Sequence, residues 1–236
     1  KVAVNHALGK NLIGCFYQPD AVFIDLALME TLPAREISTG LGEIVKYGII
    51  YDEAFFTFLE QHQQEVLSLA PEAAVHMIAR SCEIKAAVVS QDEKEAGLRR
   101  ILNYGHTMAH AIEQETGYVR YNHGEAVAIG IALDTLYSAA QGLLPGKDAE
   151  RVIALLTALG FALDHPALQA LDVDTALADF REHLGGALSI PLLAGIGHKQ
   201  EAHAIEVNTM QQCIAQLHAR FGAPVPALSP CLAHSV

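Results

Sequence analysis

The chain has 236 residues, 51% of them hydrophobic and 18% charged, with a formal net charge of −12. The apolar fraction excludes a wholly disordered chain, and the acidic balance argues against a nucleic-acid partner, whose phosphates need a basic face. No stretch is long and apolar enough to span a bilayer, and the opening Lys1-Val2-Ala3-Val4-Asn5-His6 lacks the apolar run of a signal peptide. The first residue is not Met, which leads to the expectation that the chain begins inside a longer protein. Cys15, Cys82, Cys213 and Cys231 have no paired spacing. That pattern reads as reduced thiols in a cytoplasmic protein.

Taken in chain order, residues 1–20 are punctuated by Gly, Asn and Pro and read as loop. Val22-Phe23-Ile24 is a short apolar run of the kind that forms a buried strand. A helix is predicted from about Ala34 to Tyr47. Asp52 is placed to cap a second helix running to about Gln64. Pro71 opens a long helix with Val75, Ile78, Ala79, Cys82, Ala86 and Val89 as its apolar stripe. A helix from Leu102 to Glu115 is expected to end near Gly117. Gly124–Gln141 is apolar almost all round, which marks a central buried helix. Asp148–Leu159 is amphipathic and stops at Gly160. Asp174–His183 reads as helix, Leu188–Leu193 as a strand paired with His203–Val207, and Thr209–Arg220 as a last helix. The proline-rich tail from Ala223 to Val236 is expected to be disordered. The fold class that emerges is mainly α: a multi-helical domain with a small β component.

The chemistry concentrates in Arg99-Arg100-Ile101-Leu102-Asn103-Tyr104-Gly105-His106-Thr107-Met108-Ala109-His110. His106 and His110 are one helical turn apart, the spacing of helical metal sites. An isolated pair serves equally as two hydrogen-bonded histidines on a buried face. His123 as a third candidate, with Glu43 to supply a carboxylate oxygen, favours the metal. Three protein ligands and an open position form the pattern of catalytic zinc. Glu43 and Lys46 could be an ordinary surface ion pair. Gly40, Gly42 and Gly48 around them instead suggest close approach of another backbone or a ligand. Lys85 lies between Cys82 and Val89 in the expected stripe, from which it could simply reach solvent. Arg99 and Arg100 precede the histidine segment, and one of them reads as merely solvated. Glu95 reads either as a base or as a surface acid. Gly9-Lys10-Asn11, with Lys1, could cradle an anion.

Several blocks together resemble the 3-dehydroquinate synthase family, within the sugar-phosphate cyclases. They are residues 1–14 with Tyr17-Gln18-Pro19, Thr31-Leu32-Pro33-Ala34-Arg35-Glu36, Gly42-Glu43-Ile44-Val45-Lys46-Tyr47-Gly48, Ser81-Cys82-Glu83-Ile84-Lys85, Leu102-Asn103-Tyr104-Gly105-His106-Thr107 and His123-Gly124-Glu125-Ala126-Val127. The resemblance implies a zinc- and NAD-dependent lyase, with cobalt as an alternative metal. Its reaction converts 3-deoxy-arabino-heptulosonate 7-phosphate to 3-dehydroquinate and phosphate, a step of the shikimate route to chorismate and aromatic amino acids. NAD transiently oxidises a ring hydroxyl whose oxygen zinc polarises, phosphate is eliminated, the hydride returns, and the opened ring closes by an intramolecular aldol step.

Carried over by position, Glu43, His106 and His123 are the metal ligands. His110 becomes a proton-transfer residue rather than a ligand, Glu95 a second proton acceptor, and Lys46 catalytic. Lys46, Lys85, Arg99 and Asn103 bind substrate, with Lys1 and Asn11 near the phosphate. Lys1, Lys10, Leu28, Met29, Glu30 and Thr31 contact NAD. The same resemblance implies a homodimer, and composition and cysteine usage add the expectation of a cytoplasmic protein without nucleic-acid or membrane partners. Residues 1–20 would be the remnant or linker of an N-terminal NAD-binding domain, 21–222 the metal- and substrate-binding domain and 223–236 a tail. On this reading the chain is inactive without the NAD domain.

The sequence departs from the family pattern at two places. Ala109 stands where glycine is usual. Phe180-Arg181-Glu182-His183-Leu184-Gly185-Gly186 stands where the family has an Asp-Lys-Lys substrate-binding segment, with Arg181 or His183 as replacements for the lysine. Three alternatives remain at this point. One is a paralogous cyclase acting on another heptulose phosphate. The second is a metal- and NAD-dependent polyol dehydrogenase. The third is a non-catalytic helical scaffold or metal-storage module.

Overall fold

The computed structural model describes residues 2–6, 9–15, 17–93, 97–116, 122–184 and 186–222, with the side chains of 2, 3, 5, 6, 9–12 and 183 left aside. The chain divides into two compact units, Lys1–Leu32 and Pro33–Val236, so that residues 21–32 group with the first. None of the described helices is long and apolar enough to cross a membrane.

The first unit contains an antiparallel hairpin of β1 (Val2–His6) and β2 (Gly9–Cys15), in which Val2 faces Cys15 and Val4 faces Ile13. This corrects the reading of residues 1–20 as loop throughout. The Gly and Asn taken as loop punctuation sit within or beside a ladder whose flanks are β-branched and apolar. Val22-Phe23-Ile24, expected as a strand, lies in no strand, and Phe23 is 94% exposed. An apolar run becomes a buried strand only where a neighbour offers a ladder and a covering face. A 3-10 turn, Leu26–Thr31, follows, with Asp25 accepting from the Ala27 amide at 3.0 Å.

The second unit is built on helices, as the mainly α reading anticipates. They are α1 (Ala34–Ile50), α2 (Glu53–Gln61), α3 (Gln63–Leu67), α4 (Pro71–Gln91), α5 (His106–Glu115), α6 (His123–Ala140), α7 (Gly146–Ala158), α8 (Pro166–Ala170), α9 (Val173–His183) and α10 (Val207–Phe221). Asp52 caps α2 through its carboxylate and the Phe55 amide, 3.1 Å apart. The short α8 has no counterpart in the sequence reading. At the centre, α6 buries every residue from Ala126 to Ser138 and packs against α1, α5, α7 and α10. Asn122 and Glu125 form a capping box at its start. Arg35 on α1 clasps Glu125 through two bonds of 3.0 and 2.8 Å.

Three local expectations need correction. The buried face of α4 carries Ala73, Ala74, Met77, Ile84 and Val88, whereas Val75, Cys82 and Ala86 are exposed. A long helix with alanine on several sides offers more than one apolar stripe, and neighbours decide which is used. The helix expected from Leu102 is two elements: a 3-10 turn, Leu98–Asn103, and then α5 beginning at His106. Gly105 separates them with φ +79°, a left-handed conformation that ends one element and starts the next. The partner of strand β3 (Ile190–Gly195) is β4 (His198–Ala202), not residues 203–207, because a tight turn at Ile196-Gly197 closes the hairpin early. The expected helix stop at Gly117 and the tail from Ala223 lie outside the described residues.

Candidate metal centre

Two helix junctions create the site. Where α1 crosses α6, Gly42 meets Gly124 so closely that a Cβ on Gly42 would lie 2.5 Å from the Gly124 carbonyl oxygen. This is the close backbone approach read from the glycines of α1. Gly48 is similarly tight against Phe56, whereas Gly40 faces open space. The crossing sets Glu43 beside His123, the first residue of α6. The second junction is the Gly105 turn, which sets His106 at the first position of α5.

Glu43, His106 and His123 each present a ligand atom, all within 4.8 Å of one another. Glu43 Oε1 is 3.4 Å from His123 Nε2 and 3.7 Å from His106 Nε2. Donors around a tetrahedral zinc stand about 3.3 Å apart, given bonds near 2.0–2.1 Å. Glu43 Oε1 is buried and makes no hydrogen bond. A buried carboxylate oxygen without a hydrogen bond, facing two imidazole nitrogens at ion-pair distance, suits a divalent cation.

The surrounding groups orient these ligands. His106 Nδ1 donates to the Tyr104 carbonyl at 3.1 Å, which turns Nε2 toward Glu43. Burial, aided by Lys46, holds His106 well below the usual histidine range, so the ring is neutral with a lone pair on Nε2. His123 Nδ1 lies 3.3 Å from Oε1 of Glu113, a buried carboxylate on α5. Glu113 first, and then Glu43, push His123 up to about 9. A metal binding His123 at neutral pH would therefore displace a proton from this ring.

Lys46 is 2% exposed, and its ammonium bonds Glu43 Oε2 and the Leu102 carbonyl, each at 2.7 Å. Burial depresses the Lys46 pKa, opposed by Glu43. Burial also acts to raise Glu43, but Lys46, His123 and His106 outweigh it and hold the carboxyl well below the usual range. The surface-pair reading of Glu43 and Lys46 is thus corrected: the lysine is interior, where the charge of Glu43 sustains its own.

The other expected site residues are dispersed. The His110 ring lies edge-on to His106, centroids 5.6 Å apart, and 5.9 Å from the Phe180 ring. Lys85 is exposed on α4 and electrostatically coupled to Lys46, so it does not sit within the helix's buried stripe. Arg99 and Asn103 lie in the 3-10 turn ahead of α5, with Arg99 Nη1 donating to the Glu93 carbonyl at 2.7 Å. Arg181 is exposed near the end of α9. Leu28, Met29, Glu30 and Thr31 occupy the 3-10 turn of the first unit. Glu95, Lys1 and the side chains of Lys10, Asn11 and His183 lie outside the described residues.

Sequence reasoning missed Glu113 and Asp134. Glu113 lies seven residues after His106, on the same helix face, and that spacing was its signal. Asp134 is an acid in the middle of an apolar helix, and its Oδ2 accepts the Gly105 amide at 2.8 Å.

A mainly helical unit that brings two histidines and a glutamate, a set able to hold a metal ion, beside a buried lysine defines a helical domain of the sugar-phosphate cyclase fold. Among solved structures, the chain resembles a 2-epi-5-epi-valiolone synthase from Streptomyces hygroscopicus subsp. jinggangensis 5008 with NAD+ and Zn2+ bound. The TM-score is 0.83 at 27% identity, covering 92% of this chain and 61% of that one. It also resembles a 2-deoxy-scyllo-inosose synthase complexed with carbaglucose-6-phosphate, NAD+ and Co2+, with TM-score 0.74, 27% identity and coverage of 91% and 60%.

The sequence profile described as 3-dehydroquinate synthase C-terminal matches residues 40–182, and that described as 3-dehydroquinate synthase N-terminal matches residues 1–39. The chain belongs to the 3-dehydroquinate synthase family. A 3-dehydroquinate synthase of Geobacter sp. (strain M21) is 48% identical over 197 residues, 84% of this chain and 54% of the relative. One of Pseudoalteromonas atlantica (strain T6c / ATCC BAA-1087) is 52% identical over 167 residues, 71% of this chain and 47% of the relative. The chain thus spans about half the length of the curated relatives it matches.

Proposed function

We propose that this chain is the metal- and substrate-binding portion of a 3-dehydroquinate synthase, acting on 3-deoxy-arabino-heptulosonate 7-phosphate. The observation that carries the reading is the buried Glu43 Oε1, which makes no hydrogen bond and faces the Nε2 atoms of His106 and His123. Zinc or cobalt bound there would supply Lewis acidity toward a substrate hydroxyl, and NAD would supply reversible hydride transfer.

The chain's own residues supply the rest. Glu113 and the Tyr104 carbonyl fix the two imidazoles, so that both ε nitrogens point at one place. Lys46 has three N–H donors, of which Glu43 and Leu102 take two, and the third serves a substrate oxygen next to the metal. Lys85 and Arg99 bind the substrate's carboxylate and phosphate, and Asn103 completes that set. His110, whose ring lies edge-on to His106, carries the proton during elimination. Glu95 is assigned the second proton transfer. Lys1 and Asn11 are assigned to the phosphate, and Lys1, Lys10, Leu28, Met29, Glu30 and Thr31 to NAD. In this reading residues 1–20 belong with an NAD-binding domain, residues 21–222 form the metal and substrate domain, and the protein works as a cytoplasmic homodimer. The chain by itself does not turn over.

A second reading, a related cyclase on a heptulose phosphate without the carboxylate, is favoured by one observation. Phe180, an apolar ring, packs by His110 in the segment that replaces the Asp-Lys-Lys pattern. Calorimetric titration of the zinc-loaded chain distinguishes the two. Tighter binding of the carboxylated heptulosonate phosphate than of an uncarboxylated heptulose 7-phosphate, lost in Lys85→Ala, supports the first. The reverse preference supports the second, and no binding of either contradicts both.

A further inference from the structure

Three contacts from α6 converge on the turn Tyr104-Gly105-His106. Asp134 Oδ2 accepts the Gly105 N–H at 2.8 Å. Thr135 Oγ1 lies 2.7 Å from the Tyr104 hydroxyl. One turn earlier on α6, Gly130 comes so near the Gly105 carbonyl oxygen that a Cβ there would overlap it.

The N–H held by Asp134 and the carbonyl of Tyr104 are opposite ends of one planar peptide unit. That carbonyl is also the acceptor for His106 Nδ1. Any rotation of the peptide plane therefore moves the group that sets the tautomer and direction of the imidazole. Gly105, at φ +79°, would otherwise give this peptide unusual freedom. Asp134 is completely buried among apolar residues of α6, and its second oxygen, Oδ1, makes no hydrogen bond. Burying a half-satisfied carboxyl is costly, so the contact it does make has to matter to the fold or to the site.

We infer that Asp134 is a positioning residue: by clamping the Tyr104–Gly105 peptide, it aims His106 Nε2 at the point shared with Glu43 and His123. The inference rests on the metal-site reading given above. Burial pushes the Asp134 carboxyl up to about 7, so the neutral acid and the carboxylate are both accessible near neutrality. Either form accepts the Gly105 N–H through Oδ2, and an asparagine oxygen would do the same. An alanine would offer no acceptor.

The test is a competition titration of Zn2+ into the full chain and its Asp134→Asn, Asp134→Ala and Ile153→Val variants, with thermal melting of each metal-free protein. Ile153 is buried on α7 and serves as a control for general loss of stability. Asp134→Ala is expected to weaken Zn2+ binding about 10–100-fold, while Asp134→Asn stays within about threefold of the parent. Ile153→Val is expected to melt earlier with affinity unchanged. An Asp134→Ala protein with parental affinity would overturn the inference, as would an Asp134→Asn protein that loses as much as Asp134→Ala.

If Asp134→Ala does not fold, ring nitrogen-15 spectra of the parent and Asp134→Asn decide. His106 protonated on Nδ1 in both is expected, and protonation on Nε2 in either overturns the inference. A parent chain that binds no Zn2+ would overturn the metal-site reading and this inference with it. Parental binding combined with an unaffected Asp134→Ala overturns this inference alone.

Discussion

Gly42 and Gly124 touch backbone to backbone, and this contact places Glu43 of α1 against His123 of α6. A methyl group on Gly42 would meet the Gly124 carbonyl at 2.5 Å, with no flexible side chain to yield. Gly42→Ala is therefore expected to destabilise the protein by about 1–3 kcal/mol through overpacking. It should also weaken Zn2+ binding, because the two helices must separate. Calorimetric melting and metal titration of the same variant check both effects.

The ligand assignment separates the three histidines. Glu43→Ala and His123→Ala are expected to lose stoichiometric metal, whereas His110→Ala keeps it. Glu43→Ala should also lower the stability of the metal-free chain, because it leaves the Lys46 ammonium buried with the Leu102 carbonyl as its remaining acceptor. Equilibrium dialysis against zinc followed by denaturant unfolding measures the two consequences separately.

If His123 is a metal ligand as proposed, Glu113 acts on the metal through it. Glu113→Gln keeps an acceptor oxygen but removes the charge, and Glu113→Ala removes both. Metal affinity is expected to fall modestly in the first and about 10–100-fold in the second. Equal losses in the two variants would assign the effect to charge alone.

Asp134 gives the fold a specific pH dependence. Burial moves its carboxyl from the ordinary 3.8 to about 7. Between those values the folded chain holds a proton that the unfolded chain has released. Stability is thus greatest below the unfolded value, falls as pH rises through the window, and levels off above the folded value. The slope is at most about 1.4 kcal/mol per pH unit. Tyr104, Thr135, Gly105 and Cys213 surround this group, and Cys213 is itself pushed up to about 11 by burial and by Asp134. Relative to the parent, Asp134→Asn is expected to flatten this decline and to be the more stable protein above pH 7. Urea melts of the metal-free chains from pH 4 to 8 test it.

Lys85 and Arg99 are assigned to the substrate, not to the metal. Lys85→Ala and Arg99→Ala are expected to retain metal and to bind an anionic substrate analogue at least about tenfold more weakly, each losing a charge-assisted contact. Metal loss in either variant would contradict that division.

Much of the helical unit was legible because its elements carry local signals. Asp52 caps α2, Pro71 opens α4, Gly160 ends α7, and the apolar surface of α6 marks the buried centre. That Glu43, His106 and His123 belong together was legible through resemblance, while helical spacing alone paired His106 with His110. The sequence concealed whatever depends on neighbours. The stripe α4 buries was misread because several faces are apolar, and Val22-Phe23-Ile24 was misread because a strand requires a partner. The contact that braces the break at Tyr104-Gly105 was hidden because Asp134, which accepts the Gly105 amide, lies 29 residues away along the chain. Glu113 shares a helix face with His106 by its spacing, but its contact with His123 appears only once α5 and α6 are packed.

Elemental analysis of the purified chain beside Glu43→Ala and His106→Ala, after zinc loading and dialysis, addresses the central claim most directly. One zinc per parent chain, absent from both variants while they remain folded by circular dichroism, is the result expected from the convergence of Glu43, His106 and His123. A parent without metal, or variants that retain it at full stoichiometry, would contradict the account.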